Sequence, residues 1–210
     1  MRYASLMTDA QHTRPLVAGL LLAAGGGRRL GGRPKALLPH RGRPLVEHAV
    51  RALRDGGCEV VHVVLGASAE LVRERAVLPG CVLVDNPDWA EGMGSSLRVG
   101  LGSLAAEALP VDAALVSLVD QPGIGAPAVA RVRSAYRSRG SLAAASYDGR
   151  RGHPVLFGAD RWAAVAGGAV GDQGARDFLK AHRDAITLVD CSDVAEPYDI
   201  DTEADLAHLE

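Results

Sequence analysis

Lysine is nearly absent from this chain. Of 23 basic residues only Lys35 and Lys180 are lysine, the rest being arginine, so either lysine is a residue to question for a specific chemical task. Long apolar runs are missing as well: the longest, such as Val60–Leu65 and Ala113–Val119, fall far short of the ~20 residues that a membrane-spanning helix needs. There is no excess of one charge, and a net charge of −2 gives no general reason to expect nucleic acid or a membrane surface as partner. The three cysteines, Cys58, Cys81 and Cys191, show neither CxxC nor metal-ligand spacing, which suits a reducing cytoplasm. Met1–Pro15 carries Arg2, Asp9 and Arg14 but no apolar block. It is therefore expected to be a flexible N-terminal extension and not a secretory signal.

What is present is an alternation. The length of 210 residues and the 48% apolar content fit one compact domain over residues 16–210. Strand-like runs at Val17–Leu22, Glu59–Leu65, Val82–Val84 and Ala113–Val119 alternate with helical spacing at Leu45–Leu53, Ala69–Ala76, Ser96–Leu109 and Ala128–Arg139. Two further strands, Leu142–Ala145 and Pro154–Phe157, flank a polar turn, and Thr202 with Asp205 gives capping-box spacing to a last helix at Glu203–Leu209. Runs such as "VVHVVL" hardly alternate, as expected of strands covered on both faces. The expected fold is a three-layer α/β/α domain with a mostly parallel sheet, whose ligands bind beyond the carboxyl ends of the strands. His62, inside such a run, reads as a core histidine with its hydrogen bonds satisfied, and Trp89 and Trp162 as packing or rim residues.

The stretch "LLLAAGGGRRLGGRPKALLP", Leu20–Pro39, puts five glycines, three arginines and a lysine behind the first strand. A dinucleotide fingerprint fails, because Leu30 stands where the third glycine belongs. A P-loop fails too, because Arg33 and Pro34 follow Gly32 where Lys and Ser/Thr should stand. What remains is a loop of small residues, Ala23–Gly27, whose backbone N–H groups can approach a base or phosphate closely. Arginines can grip phosphate oxygens in pairs, and lysine acts as a compact point charge. Asp120, at the carboxyl end of "AALVSLV", stands where the sheet rule places ligands.

These residues resemble a known family. "LAAGGGRRLGGRPKALL" is similar to the L-A-A-G-x-G-x-R-[ML]-G-x-x-K signature of nucleotidyltransferases with the MobA-like fold, a Rossmann-like type shared with nucleotide-diphospho-sugar transferases. The resemblance continues in order through "VLGA", "NPDWAEGMGSSL", "LVDQP", "GHPVLF", "GDQGAR" and "DIDTEADL", over roughly residues 17–209. It is nearest to the molybdenum cofactor cytidylyltransferases. Small departures are Leu30 for the commoner methionine, one extra residue within "GGRPK", and Glu203–Ala204 for Pro-Glu.

The resemblance implies transfer of CMP from CTP to the phosphate of molybdopterin or molybdenum cofactor, with pyrophosphate leaving and Mg²⁺ assisting. It implies that Asp120 and Asp201 are the metal carboxylates, with Asp199 competing for the second place, and that Lys35 contacts the triphosphate. It gives nucleotide contacts to Leu22, Ala23, Ala24, Gly25, Gly27, Arg28, Arg29, Asn86, Gly94, Ser95 and Ser96, leaving open which arginine points inward. Gln121, Pro122, Gly152, His153, Asp172, Gly174 and Arg176 fall to the acceptor side. A transient client of the xanthine dehydrogenase type is the implied partner, in the cytoplasm, without nucleic acid or membrane. Guanylyl-transferring relatives usually carry L-A-G-G at the first turn, so Ala24 favours cytidine. Two alternatives stay open: another nucleotide or phosphorylated acceptor on the same fold, and a non-catalytic carrier of the finished cofactor.

Overall fold

The computed structural model describes residues 14–209. Most of the expected extension, residues 1–13, lies outside the described residues. The chain runs β1 (Val17–Ala23), a two-residue ladder of β2 (Pro39–His40) and β3 (Arg43–Pro44), α1 (Leu45–Asp55), β4 (Val61–Leu65), α2 (Ala69–Arg75), β5 (Val82–Asp85) and α3 (Met93–Ala105). It continues with β6 (Ala113–Leu118), α4 (Ala126–Ser134), β7 (Leu142–Tyr147), β8 (Arg150–Gly158), α5 (Trp162–Gly168), α6 (Arg176–Ala181) and β9 (Thr187–Asp190). It ends in 3₁₀ turns at Glu203–Leu209, not the α-helix expected there. Asp205 still closes the turn: its Oδ2 accepts from the Asp201 and Thr202 N–H groups and from the Thr202 hydroxyl.

Seven strands form one sheet in the order β5-β4-β1-β6-β8-β7-β9. The pairs β1–β4, β1–β6, β4–β5 and β7–β9 are parallel, while β8 runs antiparallel to both of its neighbours. The period of two along β1 sorts its side chains between two cores. Val17, Leu21 and Ala23 face the layer of α1, α2 and α4, whereas Ala18, Leu20 and Leu22 face α3, α5 and α6. Every residue of β1 is buried, as a central strand covered on both faces requires. No helix among the described residues is long and apolar enough to cross a membrane.

His62 in β4 is indeed a satisfied core histidine. Its Nδ1 lies 2.7 Å from Ser103 Oγ and its Nε2 2.9 Å from Glu107 Oε1, so α3 supplies a partner to each ring nitrogen. Trp162 packs in the α5 core and donates its indole N–H to the Phe157 carbonyl. Helices α3 and α4 each begin and end several residues earlier than the apolar spacing suggested. Gly92, at φ 108°, provides the sharp entry into α3, and Pro127 sits in the first turn of α4, where its missing N–H costs nothing.

Candidate active site

The parallel strands β1, β4 and β6 all end at one edge, and the site is assembled there from three distant segments. After β1 the chain leaves the sheet through Ala24–Gly27 and closes a tight turn, with the Gly27 carbonyl accepting from the Leu30 and Gly32 N–H groups. Gly27 is buried at φ 60°, and a Cβ there would lie 1.9 Å from the Arg33 carbonyl oxygen, so only glycine fits. Gly25 differs: a Cβ would meet nothing within 4 Å. Among the described residues the N–H groups of Gly25, Gly26 and Gly27 donate to no acceptor in the chain, which leaves them without a protein partner. Trp89 braces this loop from behind, because its ring lies against Gly26 and its Cβ against Gly66.

The short 3₁₀ turn Lys35–Leu37 carries Lys35 back under the loop. Its Nζ lies 2.7 Å from Asp120 Oδ2 and 2.5 Å from Asp201 Oδ1. The Lys35 side chain is only 15% exposed and that of Asp120 only 20%. Asp120 follows β6 directly. Asp201 is brought alongside because the Ile200 N–H donates to the Asp120 carbonyl and the Ile200 side chain is fully buried. Burial alone would lower the Lys35 pKa, but the facing carboxylates of Asp120 and Asp201 more than offset it, so the ammonium titrates above its ordinary range. A fixed cation therefore sits between two carboxylates across the neutral pH range.

Asp199 lies beside this cluster without bonding to Lys35; its Oδ1 accepts from Gln121 Nε2 at 2.8 Å. Its pKa is raised, first by burial and then by Asp120 and Asp201, against the Gln121 hydrogen bond and Lys35. Of the two arginines, Arg29 turns toward the cluster, 3.4 Å from Asp201 Oδ2, while Arg28 forms no ion pair among the described residues. Arg33 and Glu203 pair at 2.8 Å across the same seam.

The remaining candidate residues occupy three places. Asn86, Ser95 and Ser96 are buried behind the edge and bonded to one another, Asn86 Nδ2 reaching the two hydroxyls at 2.9 and 3.0 Å. Ser95 Oγ also donates toward the Asp88 and Gly92 carbonyls. These side chains tie the loop before α3 together. Gly94 packs too tightly against Ala169 and Val170 to carry a side chain. Asp172 and Gly174 lie against Gly92 and Met93 at the start of α3, and no hydrogen bond joins them or Arg176, the first residue of α6, to the Lys35 cluster.

Gly152 and His153 lie early in β8, whose reversed direction brings them to the Asp120 end of the sheet. Gly152 packs on the Tyr147 ring, and Tyr147 donates its hydroxyl to the His153 carbonyl at 2.7 Å. Protein crowds the His153 ring although its surface is not sealed. Burial lowers its pKa to about 4, against the pull of Asp120 and with some help from Arg151, so the ring is neutral at pH 7. A base whose folded pKa lies below its unfolded value contributes its full stability above the unfolded value of 6.5 and loses it as pH falls toward 4. Between pH 7 and 4.5 this should remove on the order of 2 kcal/mol. Denaturant titrations of EDTA-treated protein at those two pH values should show a smaller loss for His153→Gln. An equal loss in both proteins would show that His153 does not carry the acid sensitivity.

The donor set of Asp120 and Asp201 consists of hard carboxylate oxygens already gathered round a cation. Among the described residues no cluster of three or more His, Cys, Asp or Glu side chains is placed to hold an ion with protein ligands alone. Two carboxylates that leave the other positions to substrate oxygens are what Mg²⁺ commonly uses, so the residues fit that ion.

The profile of the MobA-like NTP transferase domain matches residues 19–186, from the middle of β1 to the residue before β9. The chain belongs to the MobA-like NTP transferase family. A relative named nicotine blue oxidoreductase, from Paenarthrobacter nicotinovorans, is 44% identical to this MobA-like chain over 202 residues, covering 93% of it and 97% of the relative. Among solved structures, a homologue of Mycobacterium tuberculosis Rv0371c from Mycobacterium sp. strain JC1 superposes with a TM-score of 0.80 at 30% identity, covering 94% and 96% of the two chains. Rv0371c of M. tuberculosis H37Rv in complex with manganese superposes at 0.73 with 26% identity, covering 94% and 98%. The matched segment contains the glycine loop, Lys35 and Asp120, while Asp199 and Asp201 lie beyond it.

Proposed function

We propose that this MobA-like protein transfers CMP from CTP to the phosphate of molybdopterin or molybdenum cofactor. The observation that carries the reading is the Lys35 ammonium held between Asp120 and Asp201 at the strand edge, beneath a loop with free N–H donors. An acceptor phosphate oxygen forms a new bond to the α-phosphorus, the bond to the bridging oxygen breaks, and pyrophosphate leaves with that electron pair. Such a transfer needs in-line placement and neutralisation of developing charge, not a covalent enzyme intermediate. The Gly25–Gly27 N–H groups and Arg29 hold the triphosphate, Lys35 stabilises charge growing on the α-phosphate, and Asp120 and Asp201 are the carboxylates that hold Mg²⁺. When bound, that ion supplies further neutralisation of phosphate charge.

Neutral His153 stands on the acceptor side with Gly152. Ala24 at the first turn supports cytidine over guanine, and the order of motifs along the chain supports the molybdenum cofactor as acceptor. On this reading the product passes to an enzyme of the xanthine dehydrogenase type in the cytoplasm.

A second reading has its own support: the full-length relative that is 44% identical is named as an oxidoreductase. The open N–H donors of the loop suit the pyrophosphate of a reduced nicotinamide dinucleotide as well as a triphosphate. One experiment separates the two. Pyrophosphate release is measured with CTP, GTP, ATP and UTP in Mg²⁺, with and without molybdenum cofactor, and oxidation of NADH and NADPH is followed in parallel with nicotine blue. Release confined to CTP plus cofactor is the expected result. Release with GTP instead would keep the mechanism and change the base, whereas dinucleotide oxidation without pyrophosphate release would move the protein to the oxidoreductase reading. Tight cofactor binding with neither reaction would make it a carrier.

A further inference from the structure

Two glycines at the strand edge are small for a reason that the backbone does not supply. Gly26 and Gly66 both lie outside the positive-φ region, so conformation alone does not demand glycine at either. What demands it is largely one side chain. A Cβ on Gly26 would lie 3.1 Å from Trp89 Cζ3 and 3.4 Å from Trp89 Cη2, and one on Gly66 would lie 2.6 Å from Trp89 Cβ. Ala24 presses on Gly66 as well, its carbonyl oxygen 2.6 Å from the same position. That carbonyl accepts the Ala67 N–H at 3.2 Å. The segments that leave β1, β4 and β5 therefore meet around Trp89.

Trp89 is itself held by the polar group before α3. The Asn86 N–H donates to the Leu65 carbonyl at the end of β4 at 2.8 Å, and Asn86 Oδ1 accepts from the Asp88 N–H at 3.0 Å. Ser95 Oγ donates to the Asp88 carbonyl at 2.9 Å, and the Trp89 carbonyl accepts from the Gly92 N–H at 3.1 Å. The backbone is thus pinned before and after the indole in the chain, and the half-buried ring is seated against the glycine loop. That loop carries the N–H groups of Gly25, Gly26 and Gly27, which have no partner among the described residues. Glycine loses more conformational freedom on ordering than any other residue, so three in a row are costly to hold still. Contact with a packed indole limits that freedom before a ligand arrives, and preorganisation of this kind is gained as affinity.

We propose that Trp89 is a positioning residue for the nucleotide, setting the glycine loop in the form that receives the triphosphate. The inference rests on the reading that this loop holds the phosphates. Trp89 touches the loop and not the reacting atoms. The loop grips ground state and transition state alike, so its loss falls on KM, whereas Lys35 acts on charge that grows during transfer. Trp162 has no such part, since it packs in the α5 core and spends its indole N–H on the Phe157 carbonyl.

The test uses the whole chain, with CTP and Mg²⁺ as the probe. In calorimetry Trp89→Ala should bind CTP about tenfold or more weakly, the scale of one lost hydrogen bond to a charged group. Trp89→Phe, which keeps a ring against Gly26, should recover most of that loss. In turnover the alanine variant should raise the KM for CTP by a similar factor and change kcat much less. A second readout needs no substitution in the protein that is titrated. With 5-fluorotryptophan incorporated, the ¹⁹F resonances of Trp89 and Trp162, the chain's two tryptophans, are assigned through Trp89→Phe. On addition of CTP the Trp89 resonance should shift and that of Trp162 should stay. CTP binding by the wild type with an unmoved Trp89 resonance would overturn the proposal. So would unchanged affinity in a folded Trp89→Ala variant, or phenylalanine no better than alanine. If the wild-type chain bound no nucleoside triphosphate, the reading of the loop would fall first and this inference with it.

Discussion

Replacing Lys35 by methionine is expected to cut nucleotide turnover by about 10²–10³-fold, the loss typical of removing one preorganised group that meets charge in the transition state. The variant should also reveal what the lysine does before substrate arrives. Asp120 and Asp201 each reach the same nitrogen, at 2.7 and 2.5 Å, and without it two carboxylates face one another in a half-buried site. Like charges so close raise one carboxylate's pKa and weaken the fold at neutral pH. Thermal melts should therefore show the methionine variant gaining more from added Mg²⁺ than the wild type, and more from a fall in pH toward 5. Asp120→Asn should lose activity to a similar degree yet gain little from Mg²⁺. Wild-type turnover in Lys35→Met would remove the lysine from the site, and equal Mg²⁺ responses in all three proteins would remove the carboxylate pair.

The second large effect concerns two glycines separated by one residue. At Gly27 an added Cβ would overlap the Arg33 carbonyl in a backbone that already has positive φ. Gly27→Ala should destabilise the protein by about 2–4 kcal/mol. For a chain of this size that corresponds to a fall in melting temperature of roughly 5–15 °C. Gly25→Ala, with nothing within 4 Å of the new methyl, should melt close to the wild type. Its methyl nevertheless occupies open space on the loop that the proposed function gives to the phosphates, so it should weaken nucleotide binding by about tenfold or more in a titration calorimeter. If Gly25→Ala bound nucleotide normally, the loop would not be where phosphates sit.

The alternation of strands and helices was readable because both periods are strong here. Leu45, Val46, Val50 and Leu53 mark one face of α1, and the unbroken burial of β1 follows from an apolar run with no polar interruption. Three features were not readable. The edge strand β9 carries Leu188 half exposed and lacks any alternating pattern, since an edge borrows its pairing from β7 and not from its own composition. The short helices α5 and α6 are held by the core around Phe157 and Leu179, which no local spacing reports. The reversal of β8 depends on pairing across the sheet.

The site was legible where a residue type was rare or stood at a strand end, as Lys35 and Asp120 do. Its geometry was less so. Nothing in a linear reading ties Gln121 to Asp199 or Arg29 to Asp201, separated by 78 and 172 positions. The resemblance gave nucleotide contacts to Asn86, Ser95 and Ser96, and a linear reading does not show that Asn86 also bonds both hydroxyls inside the fold. A polar motif at a helix start serves support and recognition alike, and only burial tells them apart.

The reversed strand also divides the molecule for engineering. β7 and β8 meet in a two-residue hairpin through Asp148 and Gly149, both at positive φ, the turn type that matches strand twist. The segment from this turn to His153 reaches the catalytic edge by a path that shares no loop with the glycine turn, Lys35 or Asp120. On the proposed function, lengthening or exchanging that hairpin offers a handle on the acceptor wall, so libraries of acceptor preference can be built there without altering the glycine turn that would grip the phosphates.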